Sequence, residues 1–184
     1  MKPAFFLIGE PASGKTTLAC RLMRMLQLAG EGHHNLHAGL LRGHLFSATQ
    51  VLVLGRYDVE GTFKGTDRLS HAVHNDFRAA LPSLKQYAIF IEGDRLLTAD
   101  NIRALQATHY LMIGSLSIDP ETAEDRHLHR GDTQSATFIQ GRRTKVANIS
   151  KQFPTTLMPN STPEHLESNI KVIAEHLGLV RNSG

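Results

Sequence analysis

Ala4-Phe5-Phe6-Leu7-Ile8-Gly9-Glu10-Pro11-Ala12-Ser13-Gly14-Lys15-Thr16 is the stretch on which the fold turns. The apolar run Ala4 to Ile8 reads as a buried strand, and Thr17 to Leu26 reads as an amphipathic helix. Gly9 to Thr16 therefore falls on a strand-to-helix turn, and it fits the phosphate-binding pattern G-x-x-x-x-G-K-[ST] with every fixed position in register. The backbone N–H groups of such a turn, together with the positive end of the helix dipole, can wrap a polyphosphate. Lys15 is expected to reach the β- and γ-phosphates, and the Thr16 hydroxyl to bind Mg²⁺. The expected nucleotide-binding residues are Gly9, Pro11, Ala12, Ser13, Gly14, Lys15, Thr16 and Thr17.

The 184 residues suffice for one well-buried domain and are too few for two ordinary ones. Hydrophobic residues at 41% and charged residues at 20% are those of a globular chain and argue against a largely disordered one. The single cysteine, Cys20, lies inside the first predicted helix, which rules out an intrachain disulfide, argues against a Cys-based zinc site, and reads as a small core residue. The N-terminal apolar run is cut short by Gly9, and no stretch approaches the roughly 20 apolar residues of a membrane span. A cytoplasmic protein with no membrane partner is expected. The formal net charge is +3 and the sequence pI about 9.2, a mildly basic balance that permits a polyanionic partner without demanding one. The cations are unevenly placed: Arg126, Arg130, Arg142, Arg143, Lys145 and Lys151 all fall between Ile118 and Phe153. That segment reads as a basic lid.

Further strands are predicted at Gln50 to Gly55, Tyr87 to Ile91, Tyr110 to Gly114 and Thr155 to Met158. Helices are predicted from about Leu69 to Leu81, from about Thr98 to Ala107, and from Pro163 to Leu177, the last with Thr162 as cap and Pro163 as first helical residue. A Gly- and His-rich stretch, Gly30 to His44, follows the first helix. Strands alternating with helices imply right-handed crossovers and a parallel sheet of about five strands, with helices on both faces in a three-layer α/β sandwich. This order fits a P-loop kinase, with residues 1–184 forming one domain and 118–153 its lid.

Ligands of such a sheet bind beyond the carboxyl ends of the strands. The topology then brings to one rim the phosphate loop, Arg56-Tyr57-Asp58, Thr66-Asp67-Arg68, Glu92-Gly93-Asp94-Arg95 and Ser115. Glu92 ends an apolar strand, where a carboxylate holds Mg²⁺ directly or through its waters. Phosphoryl transfer to an alcohol also needs a carboxylate that orients the attacking hydroxyl and takes its proton. Asp67, in a loop beside Gly65, Thr66 and Arg68, is the expected base, with Asp58 as the alternative.

Arg126 and Arg130, four apart, face the same side of a helix and would clamp the transferring phosphoryl group as the lid closes, or else form a solvated basic face. Arg142, in the basic cluster Gly141 to Lys145, is expected to contact the nucleotide, through adenine or phosphates, with a nucleic-acid backbone as the alternative partner of the cluster. Histidines 33, 34, 37 and 44 lack the accompanying ligands of a zinc site. The stretch His37 to His44 reads instead as acceptor-side surface, with Arg42 as a phosphate contact. Arg56, Tyr57, Asp58, Arg68, Asp94 and Arg95 complete the expected acceptor-binding set.

The runs Gly9 to Thr16, Leu40-Leu41-Arg42-Gly43-His44, Leu54 to Asp58, Gly65-Thr66-Asp67-Arg68-Leu69-Ser70, Glu92-Gly93-Asp94-Arg95-Leu96 and Gly141-Arg142-Arg143-Thr144-Lys145 together resemble the bacteriophage P-loop kinases that phosphorylate 5-hydroxymethyluracil in DNA. The resemblance spans most of the chain. It implies transfer of the ATP γ-phosphate to the 5-hydroxymethyl oxygen, with ATP and Mg²⁺ as cofactors and hydroxymethylated DNA as the substrate, a step in phage DNA base hypermodification. The acceptor hydroxyl lies in the major groove; if the site is enclosed the base has to leave the stack, and Tyr57 and Phe63 are then the aromatics available to receive it, or are ordinary loop anchors. The same machinery also serves a free nucleoside, nucleotide or sugar, and no residue excludes that alternative.

Overall fold

The computed structural model describes residues 1–30, 32–59, 64–130 and 135–180, with side chains at all of these except 124, 127–130 and 136. Seven strands form one sheet: β1 (Pro3–Gly9), β2 (His33–Ala38), β3 (Leu41–Phe46), β4 (Val51–Leu54), β5 (Ala88–Glu92), β6 (Tyr110–Ser117) and β7 (Thr156–Pro159). Their spatial order is β2-β3-β4-β5-β1-β6-β7. The five strands from β4 to β7 in that order pair parallel and are the five read from the sequence. β2 and β3 extend the sheet antiparallel beyond β4.

β1 is central because it can be buried on both faces. Ala4, Phe6 and Ile8 point into one apolar layer, packed by α2 (Val73–Leu84), α3 (Ala99–Gln106) and the end of α5 (Ala136–Gln152). Phe5 and Leu7 point into the other, covered by α1 (Lys15–Leu28) and α6 (Pro163–His176). The three-layer sandwich of helices on both faces follows directly from this alternation. Thr162 caps α6 by accepting the His165 N–H at 3.2 Å, and Pro163 opens it.

Three local readings change. α2 begins at Val73 rather than near Leu69, because Thr66–Arg68 is spent on a single 3-10 turn whose Thr66 carbonyl accepts the Leu69 N–H. Residues 118–153 contain two helices, α4 (Pro120–Arg130) and α5. Cys20 is not a core residue. α1 buries Leu18, Ala19, Leu22, Met23 and Leu26, and the helical period leaves Cys20 exposed on the opposite side.

The unforeseen hairpin turns at Gly39 and Leu40, between the paired Ala38 and Leu41. Gly39 takes φ +58°, the left-handed conformation that a two-residue hairpin needs at its first central position. The Leu40 N–H donates to the Asp76 carboxylate at 2.6 Å, tying the turn to α2.

Candidate active site

The phosphate loop is held open by its own backbone. Gly14 takes φ +96° at the start of α1, Ala12 takes φ +63°, and the Ser13 N–H donates to the Glu10 carbonyl at 3.2 Å. Lys15 folds over the loop and donates to the carbonyls of Gly9 at 2.8 Å and Glu10 at 2.9 Å. These carbonyls hold the ammonium above the site where a polyphosphate would lie.

A cleft of about 700 Å³ separates this loop from the ends of β5 and the 3-10 turn. Lys15 and Thr16 line one wall, and Asp67, Arg68, Asp94 and Arg95 line the other. Asp67 is aimed by its neighbours. Its Oδ1 accepts the Asp94 N–H at 3.3 Å, while the Arg95 guanidinium donates to its backbone carbonyl at 3.2 Å. The Thr66 hydroxyl donates to the Glu92 carbonyl at 2.6 Å, fixing the turn on the strand end.

Glu92 lies behind this wall rather than on it. It is 2% exposed, and its Oε1 accepts the Tyr57 hydroxyl at 3.0 Å. Burial pushes its carboxyl up to about 7, against the pull of Lys15 and with the help of Asp67. Tyr57 is buried with it, so its ring is packed into the core instead of being offered to a base. Burial and the adjacent Glu92 hold the phenol well above its ordinary range. The carboxylates that line the cleft are Asp67 and Asp94, and the hydroxyls that line it include Thr16. Among the described residues Asp94 Oδ1 is buried without a hydrogen-bond partner, which suits a hard cation completed by substrate phosphates. The donor set therefore fits Mg²⁺ through Thr16 and Asp94, with Glu92 one layer back.

The expected acceptor residues divide between two places. Arg68, Asp94 and Arg95 stand in the main cleft. Arg42, Arg56 and Asp58 instead line a separate depression of about 310 Å³ over β2, β3 and β4, together with His44. The cause is the backbone exchange between Arg56 and Gly65 at 2.9 and 2.8 Å, which seats the chain so that Arg56 and Asp58 belong to the hairpin side. Asp58 thus does not share a cavity with Lys15. His33, His34 and His37 sit on the exposed edge strand, and the buried His44 ring accepts the Tyr57 N–H at 3.3 Å.

The basic segment closes onto the loop. On α4, Arg126 donates to the Ala12 carbonyl at 3.2 Å and to the Asn160 carbonyl at 2.8 Å. The Arg130 side chain and Phe63 lie outside the described residues. On α5, Arg142 pairs with Asp94 at 3.2 Å and stacks over the Phe138 ring at 4.8 Å. Arg143 pairs with Glu10 at 2.8 Å, and Lys145 donates to the Asp94 carbonyl at 2.8 Å, its own pKa lowered by burial. Sequence reasoning passed over Phe138, Asn160 and the cleft cations Arg21, Arg24 and Lys64. The position of Cys20, Arg21 and Arg24 on the face of α1 opposite its apolar stripe was the one signal available for the latter.

No family model matches the chain, and no curated protein matches it by sequence. Solved structures do match. The Deinococcus radiodurans tunicamycin resistance protein has TM-score 0.54 at 12% identity, covering 98% of both chains. A gluconokinase from Sinorhizobium meliloti 1021 has TM-score 0.52 at 12% identity, covering 96% of this chain and 95% of its own. A sugar kinase from Janibacter sp. HTCC2649 has TM-score 0.52 at 13% identity, covering 98% and 96%. The chain has the P-loop kinase fold. In that fold the observed strand order puts β1, β5 and β4 side by side, and the cleft opens beyond their carboxyl ends. Among the described residues, no helix is long and apolar enough to cross a membrane.

Proposed function

We propose that the chain is an ATP-dependent phosphotransferase that moves the γ-phosphoryl group onto an alcohol. The observation that carries this reading is Asp67, set across one cleft from Lys15 and aimed by the Asp94 N–H. A carboxylate so placed can take the proton of an attacking hydroxyl, while Lys15 and the loop N–H groups balance the charge on the transferring group. Mg²⁺ held through Thr16 and Asp94 would supply further charge balance on the phosphates. Arg142 exchanges Asp94 for phosphate when nucleotide is present. The adenine has a second cleft, about 420 Å³, lined by Thr17, Arg126, Asn160, Pro163 and Leu166 beside the loop.

A free small-molecule alcohol is the acceptor that the fold relatives support, since a gluconokinase and a sugar kinase stand among them. A cleft of about 700 Å³ is also of the size that encloses such ligands. A second reading, the 5-hydroxymethyl group of 5-hydroxymethyluracil in DNA, is favoured by the runs Gly65 to Ser70 and Glu92 to Leu96. The cleft lining favours it too: Arg24, Lys64, Arg68 and Arg95 add positive charge beyond Lys15 and the loop.

Incubation with γ-labelled ATP and Mg²⁺ decides between them, using hydroxymethylated DNA, thymine DNA, and a panel of free sugars, nucleosides and nucleotides. Label on a free alcohol supports the first reading, and label on hydroxymethylated DNA alone supports the second. No label on any acceptor would remove the transferase reading. With the true acceptor, Asp67→Asn retains ATP binding and loses about 10²-fold or more in turnover.

A further inference from the structure

The phosphate loop is gripped from behind by a residue far away in sequence. Asn160 follows β7 directly and is 2% exposed. Its Nδ2 donates to the Ser13 carbonyl at 2.7 Å. The side chain has only one way to face. Asn169 on α6 donates to the Asn160 Oδ1 at 3.3 Å and to the Pro159 carbonyl at 2.8 Å, so the amide oxygen points to α6 and the amide nitrogen to the loop. The Asn160 backbone is equally committed, its N–H to the Ser117 carbonyl at 2.8 Å and its carbonyl to Arg126. β6, α4 and α6 thus converge on this one residue.

What this grip controls follows from peptide geometry. The Ser13 carbonyl and the Gly14 N–H belong to the same planar trans peptide and point in opposite directions. A donor that pulls the carbonyl to the back of the loop therefore turns the N–H to the front, where a phosphate would lie. Gly14 and Asn160 are in close contact, with no room for a side chain between them: a Cβ on Gly14 would meet Asn160 Nδ2 at 2.4 Å, and the φ of +96° disfavours any side chain. We propose that Asn160 is a positioning residue of the nucleotide site, aiming the Gly14 N–H at phosphate through the Ser13 carbonyl. The proposal rests on the nucleotide-binding half of the reading above and adds to it a residue outside the phosphate-binding motif; because Asn160 also borders the second cleft, the Gly14 amide shift and the Asn169 variant, rather than affinity of the Asn160 variant alone, decide it.

The test is titration of the full chain with MgADP, alongside the Gly14 amide proton shift by NMR and a melting curve for each variant. Asn160→Asp keeps the shape but sets an oxygen against the Ser13 carbonyl. Its affinity for MgADP is expected to fall roughly tenfold or more, since a buried carbonyl loses its donor. The downfield movement of the Gly14 amide on adding MgADP is expected to shrink with it. Asn169→Leu frees the Asn160 amide to rotate and is expected to lose about threefold, which keeps the test open if Asn160→Asp does not fold. Wild-type affinity in either folded variant would overturn the proposal, as would lost affinity with an unchanged Gly14 shift. If the wild-type chain binds no MgADP, the nucleotide reading fails and the brace with it. Binding by the wild type with no effect of the variants removes the brace alone.

Discussion

Glu92 is the residue at which position and chemistry part. Its place at the end of a buried strand reads as a metal carboxylate, yet its side chain turns back to the Tyr57 hydroxyl and is sealed from the cleft. The consequence is a dependence of stability on pH. An unfolded Glu92 releases its proton near the ordinary value of 4.5, whereas the folded carboxyl, desolvated first and foremost, holds it to about 7. Across that window the folded chain carries the extra proton, so stability declines as pH rises from about 4.5 to about 7, by on the order of 3 kcal/mol. Glu92→Gln retains an acceptor for Tyr57 and has no charge to bury. It is expected to melt above the wild type at pH 8 and to flatten the fall in Tm between pH 5 and pH 8. Parallel wild-type and variant melting curves across that range would show that Glu92 does not titrate there. Asp67 on the 3-10 turn and Asp94, two positions beyond Glu92, are the carboxylates that line the cleft.

Among the elements, the β2–β3 hairpin shows most plainly what a sequence conceals. β1, β4 and β5 announce themselves because parallel strands covered on both faces are continuous apolar runs. β2 is His33-His34-Asn35-Leu36-His37-Ala38, an edge strand with mostly exposed side chains and no alternation to read. Only Gly39-Leu40, a two-residue turn of the Gly-x kind, was there to mark it. The phosphate loop was legible for the opposite reason: its residue types are imposed by backbone conformation and by the ligand, and they are contiguous. Asp67 and the loop end of Glu92 to Arg95 were legible from topology, whereas Asn160 was not, because its role lies in a contact 147 positions away from its partner Ser13. Gly39 makes the hairpin sensitive to substitution. At Gly39, φ is +58° and a Cβ would lie 2.5 Å from Asp76 Oδ2. Gly39→Val is expected to cost about 1–3 kcal/mol and lower Tm by several degrees. ATP binding is expected to be unchanged, because β3, β4 and β5 stand between the hairpin edge and the loop strand. A Tm equal to wild type would show that the turn tolerates a side chain.

At the scale of the whole molecule, charge separates the two acceptors. A net charge of +3 is modest for the chain, but Arg24 on α1 and Arg68 on the 3-10 turn both line the cleft. Under the proposed reading Lys15 and the loop itself meet MgATP, which leaves these outer cations for the acceptor. A polynucleotide touching several of them would release counterions on binding, and kcat/KM would fall about a hundredfold between 50 and 200 mM salt for four or five phosphate contacts. A neutral sugar releases none, and its kcat/KM stays nearly flat over the same range. Arg24→Ala and Arg68→Ala sharpen the measurement. With DNA as acceptor, each is expected to reduce the slope of log kcat/KM against log salt by about 0.7 to 0.9, one phosphate contact, while leaving the KM for ATP in place. If both variants keep the wild-type slope with DNA, the outer cations do not touch a phosphate backbone, and the cleft is one built for a small alcohol.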